Sequence, residues 1–183
     1  MNLGRLILRA VVGGYFVGHG TQKLFGWFGG HGPDGTAQFF EAIGLRPGKH
    51  HARAAGAAES GGGMLVLLGA ATPLAASTLI ATMLTAIHRV HLDKGPWVSD
   101  GGYEYNVVLI AALLALAETG PGSPSVDASR GSKLTGNKAA LLAAVLGAAG
   151  AAGAHYVAEN APAPEPTPQP APEPDTAAAP AGS

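Results

Sequence analysis

The chain has 183 residues, of which 13% are charged, against roughly 25% in ordinary soluble domains. Its formal net charge of -1 offers no basic surface to nucleic acid, so we expect no nucleic-acid partner. It has no cysteine, which excludes disulfides, thiolate nucleophiles and cysteine-ligated zinc or iron–sulfur clusters on this chain.

Five predominantly apolar segments approach the length of about 20 residues that a helix needs to cross a bilayer. They run over residues 3–25, 53–71, 73–91, 103–118 and 138–157. The second contains Glu59 and three consecutive glycines, and the fourth has a short apolar core, so a soluble buried helix is the alternative for these two. Five such segments with so few charges favour an all-α membrane protein surrounded by membrane lipid.

The N-terminal segment resembles a secretory signal peptide at first sight, because an early Arg5 precedes an apolar stretch. Arg9 interrupts that stretch, however, and no small-x-small cleavage site follows before Gln22. We therefore interpret it as a retained first transmembrane helix.

The connections between the segments differ in character. Residues 34–43 predict a short amphipathic helix at the membrane interface, with Asp34 as its N-cap. Thr72 and Pro73 predict a tight turn, which would make the second and third segments antiparallel neighbours.

The chain divides into a four-helix transmembrane bundle plus an additional C-terminal transmembrane helix and a disordered tail. The predicted parts are residues 1–127 for the four-helix membrane domain, 128–137 for a polar loop, 138–158 for the fifth helix and 159–183 for the Pro-rich tail. The tail can bury almost nothing and favours polyproline II, either as a flexible spacer or as a proline-recognition segment. The fifth helix, rich in Ala and Gly, is predicted to dock or tether rather than to catalyse.

Membrane orientation is undecided by the distribution of cations. Five spans place the termini on opposite sides. With the N-terminus in the cytoplasm, five cations lie inside and six outside: Arg5, Arg9, Arg130, Lys133 and Lys138 against Lys23, Arg46, Lys49, Arg53, Arg89 and Lys94.

Ionisable residues within the predicted spans are candidates for function, because each is expensive to insert without a partner. Glu59 lies among small residues that let a neighbouring helix approach closely, and it needs a partner or stays protonated. The candidates for that partner are His19, Lys23, His88 and Arg89. The alternative is a structural polar clamp between helices.

Two further clusters carry polar chemistry. His19, Gln22 and Lys23 form a patch at one end of the first segment, where a snorkelling lysine and a satisfied interfacial histidine are the alternative. His88 and His91 have a spacing that permits metal or haem ligation or proton relay, although histidines near a helix end more often contact the lipid headgroups. Residues 103–106, Tyr-Glu-Tyr-Asn, combine donors, acceptors and ring faces suited to an amphipathic ligand.

Three stretches carry a resemblance: HGTQKLFGWFGGHGPDGTAQFF, AGAAESGGGMLVLLGAATPLAA and GGYEYNVVLIAALLALAETGPGSPSVD. In order and spacing they resemble the DoxX family of bacterial membrane proteins, over about residues 3–127. The resemblance implies a four-helix protein of the bacterial cell membrane. Some relatives are subunits of thiosulfate–quinone oxidoreductases, and others are linked to redox or thiol-stress complexes. The fifth helix lies outside the family core, and Ser123-Pro124 stands where the family usually has a basic residue.

The resemblance also implies site residues. Those that match the family's polar positions are His19, Gln22, Lys23, Glu59, His88, Tyr103, Glu104 and Asn106. Glu59 and His19 are the predicted catalytic residues, which would handle protons. The other six are predicted to bind substrate. No metal is predicted.

Three functions follow as hypotheses. The first is a redox-linked membrane subunit that binds a quinone-like or thiol-derived substrate, with a quinone as candidate cofactor and with other membrane or redox subunits, or further copies of itself, as partners. The second is a small-solute or proton transporter that uses the same buried ionisable groups. The third is a non-catalytic scaffold whose polar residues specify helix packing.

Overall fold

The structure is a computed structural model that describes residues 2–162, and every regular element in that range is helical. The helices are α1 Leu3–Phe25, α2 Gly32–Ala42, α3 Gly48–Leu68, α4 Thr72–Ala86, α5 Glu104–Thr119, α6 Val126–Ser129 and α7 Asn137–Glu159. Residues 163–183, which form most of the predicted Pro-rich tail, lie outside the described range.

The five predicted apolar segments are confirmed as helices, namely α1, α3, α4, α5 and α7. The main difference in bounds is that α3 begins at Gly48 and not near residue 53. Pro47 precedes its first turn, and the Glu41 carboxylate accepts a hydrogen bond from Gly48 N at 2.6 Å. A carboxylate from α2 thus satisfies an amide that the helix leaves without a partner.

The predicted interfacial helix is present as α2, but Asp34 is not its N-cap. The helix begins at Gly32, with His31 in the cap position and Pro33 in the first turn. Proline is tolerated there because the first N–H groups of a helix have no intrahelical acceptor. The N-cap prediction is therefore wrong, and Asp34 lies in the first turn, where its charge complements the helix dipole.

The helices pack in the order α1, α3, α4, α5, and α7 lies against α4 and α5. Residues 69–71 link α3 to α4, so these two are antiparallel neighbours, as predicted. The predicted position of the turn is wrong, because Thr72 and Pro73 lie in the first turn of α4. The largest fully buried side chains lie where α3, α4 and α5 meet: Val66, Thr72, Leu79, Ile80, Leu113 and Leu116. α1 touches α5 only sparsely, so these two helices leave a gap along part of their length.

Helix α7 is packed into the same helical body as the first four spans. Its buried face consists of small residues at four-residue spacing, Ala139, Ala143, Gly147 and Ala151. A Cβ added to Gly147 would lie 2.6 Å from Cγ2 of Ile80 on α4. The helix therefore docks within the chain, and any tethering role stays a prediction.

Glycines set the distance between α1 and α3. A Cβ at Gly13 would lie 2.7 Å from the carbonyl oxygen of Gly63, and one at Gly63 would lie 2.8 Å from the carbonyl oxygen of Gly13. About two turns further along α1, Gly20 faces Gly56 in the same way, with a Cβ 2.7 Å from the Gly56 oxygen. The two backbones touch at both places, as small residues at membrane helix interfaces allow.

The opposite end of α1 is fixed by a buried guanidinium. Arg9 is only 3% exposed and donates hydrogen bonds to four backbone carbonyls. These belong to Val66 at 3.1 Å, Leu67 at 2.7 Å, Pro121 at 3.0 Å and Pro124 at 2.8 Å. Since the last carbonyls of α3 lack intrahelical donors, a cation there satisfies them and complements the helix dipole.

Two more charged residues act on helix ends near Arg9. Arg5 donates to the carbonyl of Thr119 at 2.8 Å, at the end of α5. Asp127 accepts from Ala71 N at 2.8 Å and from the N and Oγ1 atoms of Thr72 at 3.0 and 2.7 Å, at the start of α4. Cations thus lie at helix C-termini and an anion at an N-terminus, which is the favourable sign in each case.

We expect Gly13→Ala and Gly14→Ala to change stability in opposite directions. Gly13 has no room for a methyl group, so the substitution should destabilise by about 1–3 kcal/mol through overpacking. Gly14, one position along the same helix, has open space around it, so alanine there should be neutral or stabilise by up to about 1 kcal/mol. Thermal unfolding in mild detergent measures both, and equal midpoints would contradict the close contact of α1 with α3.

We expect Arg9→Lys to destabilise the protein even though it preserves the charge. A lysine cannot reproduce the planar fork, so buried carbonyls lose their donor, at a cost of about 3 kcal/mol. This corresponds to a fall on the order of 10 °C in the midpoint of thermal unfolding. Arg130→Lys is the matched control, because Arg130 is exposed and its side chain makes no hydrogen bond within the described residues. A midpoint of thermal unfolding equal to that of the wild type for Arg9→Lys would contradict the stabilising role of the Arg9 hydrogen bonds.

Candidate functional site

A cavity of about 800 Å³ lies at the end of the bundle away from Arg9. It is bordered by α1 from Tyr15 to Lys23 and by α5 from Tyr105 to Leu109, where these two helices diverge. α2, α3, α4 and α7 contribute the remaining walls, which are mainly apolar. The polar lining side chains are Tyr15, His19, Lys23, His51, Glu59, Ser77, Thr78, Thr82, Thr85, His91, Tyr105 and Asn106.

A buried ion pair joins α1 to α3 in the cavity wall. Lys23 Nζ lies 2.5 Å from Glu59 Oε2, and the two side chains are 22% and 7% exposed. Lys23 also reaches the carbonyl of His19 at 3.4 Å. Of the four candidate partners for Glu59, the structure selects Lys23. Removing one member would leave a desolvated charge unpaired, which is strongly unfavourable.

The glycine contacts explain why this pair forms. Lys23 follows Gly20 by three positions, and Glu59 follows Gly56 by three, so both side chains flank the place where the two backbones touch. Helix spacing set by Gly20 and Gly56 therefore brings together an amine and a carboxylate that are 36 residues apart in sequence.

His19 lies on the cavity wall with a defined tautomer. Its Nδ1 is 3.0 Å from Gln22 Oε1, while Gln22 Nε2 donates to the carbonyl of Phe28 at 3.3 Å. The second bond assigns the amide orientation, so the oxygen faces His19 and Nδ1 is the donor. In the neutral ring, Nε2 then carries the lone pair. Gln22 does not line the cavity, but it orients His19 and fixes the turn after α1.

The predicted cluster 103–106 divides into residues inside and outside the cavity. Asn106 is buried in the wall, and its Nδ2 lies 3.5 Å from Met83 Sδ. Tyr105 lines the cavity as well. Tyr103 and Glu104 do not. Glu104 Oε2 accepts from Val98 N at 3.0 Å and so holds the loop before α5.

His88 also lies outside the cavity, on the side where α4 meets α7. Its ring packs edge-on against His155 of α7, with centroids 4.4 Å apart. Next to it, Arg89 donates through Nε to His155 Nδ1 at 2.9 Å, and its Nη2 lies 3.7 Å from Glu159. These residues therefore join α4 to α7.

The backbone after α4 turns His91 towards the cavity. Residues Ile87–His91 form one turn of π-helix. In a regular α-helix His91, nine positions after Thr82, would be about two and a half turns away and on the opposite face. The wider π turn rotates the chain more slowly, which brings His91 onto the cavity side.

Sequence reasoning singled out His91 and Tyr105 for their polar chemistry but did not assign them to the site, and it did not single out His51. The π turn that redirects His91 has no signal in the composition. Within residues 2–162 no group of three or more metal-ligating side chains converges, and His88 and His91 have different surroundings. The catalytic roles of Glu59 and His19 and the binding roles of the other six residues stay predictions.

Comparison of the sequence with known proteins identifies the family to which this chain belongs. The family model named DoxX matches residues 4–92, which include every cavity residue from α1 to His91. The protein of Bacillus subtilis (strain 168) named Putative oxidoreductase CatD is 35% identical over 114 residues, which cover 62% of this chain and 78% of that protein. No solved structure gives a significant match. The helical fold and the matched segment agree with this relationship, and the chain belongs to the DoxX family of membrane proteins.

Proposed function

We propose that this protein crosses the bacterial cell membrane several times, with α1, α3, α4, α5 and α7 as its spans. By length and composition, α7 is the one described helix that meets the criteria for a span by itself. α1 and α3 carry more charge, but Arg9 is buried on backbone carbonyls and Glu59 is paired with Lys23. The helix α4 gains length because its backbone continues through the π turn to His91.

The outer surface of the bundle supports this proposal. α1 exposes Leu3, Ile7, Val11 and Tyr15 along one face, and α7 exposes apolar residues along most of its length. Trp27, Phe28 and Trp97 are all more than half exposed, and they lie near the end of the bundle that holds the cavity. Exposed indole and phenyl rings in this position are typical of the membrane–water interface.

Labelling of single cysteines tests the topology of α5. The chain has no native cysteine, and Ser99 and Ser132 are exposed positions before and after α5. We expect Ser99→Cys and Ser132→Cys to react with a membrane-impermeant maleimide from opposite faces of sealed vesicles. Labelling of both from the same face would contradict a crossing by α5, and labelling after detergent lysis controls for accessibility.

We propose further that the protein is a redox-linked membrane subunit whose cavity binds an amphipathic quinone-like or thiol-derived ligand. The observation that carries this proposal is a partly buried Lys23–Glu59 pair in the wall of a mainly apolar cavity. Ligand sites in proteins commonly combine apolar walls with a few placed polar groups. The name of the Bacillus subtilis relative, Putative oxidoreductase CatD, agrees with this class of function.

The source of electrons must lie outside the side chains of this protein, because it has no cysteine and no evident flavin or nicotinamide motif. The volume of the cavity, its apolar walls and its few polar groups suit a quinone. When bound, it would supply two-electron chemistry coupled to two protons. The electrons would come from a sulfur donor, or from a partner subunit that oxidises one.

The chain's own residues would handle protons and orient the ligand. Glu59 Oε2 is held by Lys23 and lies in the cavity wall, so it can exchange a proton with a ligand oxygen when Lys23 moves aside. His19 offers Nε2 on the same wall, while Gln22 holds its ring in place. Asn106 adds an amide on the α5 side.

We expect Glu59→Gln to lower quinone reduction by about 100-fold, the size typical of a lost proton-transfer group. The measurement is reduction of a short-chain benzoquinone in membranes supplied with thiosulfate or a thiol donor. Glu118→Gln, an exposed glutamate at the end of α5, is the matched control and should retain wild-type rates.

The double substitution Lys23→Met with Glu59→Leu distinguishes the proposal from a purely structural role. An apolar pair of similar volume often preserves or raises stability, so a folded but inactive double variant would support proton handling. A folded double variant with wild-type activity would identify the pair as a packing clamp. Equal rates in membranes with and without the protein would overturn the redox proposal, and ion or solute flux into proteoliposomes would then favour a transporter.

A further inference from the structure

His91 is a polar group of the cavity that the proposed proton-handling residues leave without a role. It ends the π turn after α4, and its Nδ1 lies 2.6 Å from the carbonyl oxygen of Gly101. A carbonyl oxygen can only accept, so Nδ1 must be the donor in this hydrogen bond. The contact ties the π turn to the loop before α5, and it also fixes the tautomer of the ring.

The other ring nitrogen is available to a ligand. In the neutral imidazole with Nδ1 protonated, Nε2 carries a lone pair and is an acceptor only. Within the described residues Nε2 has no hydrogen-bond partner, and the side chain is part-exposed and lines the cavity. The ring is therefore an oriented acceptor at the cavity wall.

The position of His91 places this acceptor beside the connection before α5, at one end of the cavity. Val98, Gly101 and Gly102 line the cavity beside it, and all three belong to the connection before α5. Glu59, by contrast, lies in the middle of α3. The apolar residues between these levels include Met83 and Leu109. A ligand that enters from this end meets His91 before it reaches the ion pair.

We propose that His91 binds a hydroxyl group of a phenol- or hydroquinone-class ligand through Nε2, and thereby favours the reduced form of a quinone over the oxidised form. This inference rests on the proposed function and assigns a residue to ligand recognition there. A hydroquinone hydroxyl donates to Nε2. A quinone oxygen has only lone pairs and would face the lone pair of Nε2, so two acceptors would meet in an apolar wall without a shared proton.

The geometry explains why a histidine serves this purpose here. The hydrogen bond to Gly101 prevents the neutral ring from presenting an N–H to the cavity, since its single proton is already engaged. A side-chain amide at the same place could present either its oxygen or its NH₂ group, so it would not distinguish the two ligand forms. His91 thus supplies selectivity that its size and polarity alone would not.

The test compares the affinities of a short-chain alkyl benzohydroquinone and of the matching benzoquinone for the purified full-length protein. Binding is measured by equilibrium dialysis in mild detergent under argon at pH 8, above the usual titration range of imidazoles. We expect the wild-type protein to bind the hydroquinone at least about 10-fold more tightly, the size typical of one hydrogen bond with an otherwise unpaired group.

Two substitutions and one control isolate His91. His91→Asn keeps a donor near Gly101 but is too short to replace Nε2, so hydroquinone affinity should fall and the preference should approach 1. His91→Gln brings an amide that donates as well as accepts, so quinone affinity should rise and the preference should again approach 1. His50→Asn changes an exposed histidine outside the cavity and should keep the wild-type preference.

The outcomes separate this inference from the function on which it rests. If the wild-type protein binds neither form, the proposed quinone-class function fails. If it binds both forms equally, or if a folded His91→Asn or His91→Gln protein keeps the wild-type preference, the role of His91 is overturned while quinone binding stands. Thermal midpoints establish which variants are folded, and either His91 variant suffices for the comparison.

Discussion

The rest of the structure depends on the way in which Arg9 is buried. A guanidinium inside a helical membrane protein would be prohibitively unfavourable alone, yet here it donates to four carbonyls from the end of α3 and the loop after α5. Gly69 makes this approach possible, because it has positive φ and a Cβ there would lie 2.8 Å from Arg9 Cζ. One side chain of α1 thereby holds three parts of the chain together at one end.

The contacts around Arg9 close one end of the helical bundle, and the cavity lies at the other end. α1 is held against α3 by backbone contacts at Gly13 and Gly20, and its first turns are tied to α5 through Arg5 and the Arg9 loop. Among the described residues no side-chain hydrogen bond joins α1 to α5 beyond Tyr15, and the cavity lies between the two helices there. The cavity is thus the place where the fold lacks interhelical bonds, while the Lys23–Glu59 pair still secures α1 to α3.

The helices could be predicted from sequence because apolar runs of this length have few alternative structures. The small residues of α7 likewise predicted that it packs against another helix. The sequence did not identify α4 as that partner. Glu59 was expected to need a partner. The choice of Lys23 follows from the contact of Gly20 with Gly56, which is a property of two helices together and is invisible in either one. His88 was assigned to the site from the family resemblance, whereas the structure places His91 on the cavity. The π turn over Ile87–His91 breaks the α-helical periodicity, and it contains no proline or glycine that would indicate this from the sequence. The N-cap of α2 was predicted wrongly because the cap residue depends on where the first turn begins, and the helix begins at Gly32.

The balance of charge in the cavity bears on what enters it. Among the described residues that line it, Lys23 and Glu59 are the ones that are charged in their usual states, and they neutralise each other. An anionic sulfur donor would find no uncompensated cation there and would lose its hydration to apolar walls, which is costly for any ion. A neutral amphipathic molecule loses little by entering, and its polar atoms meet the ion pair, Asn106 and the histidines. In a redox complex this difference would separate the two substrates in space: the neutral carrier would bind between the helices, and a charged donor would react at the membrane surface or on a partner subunit.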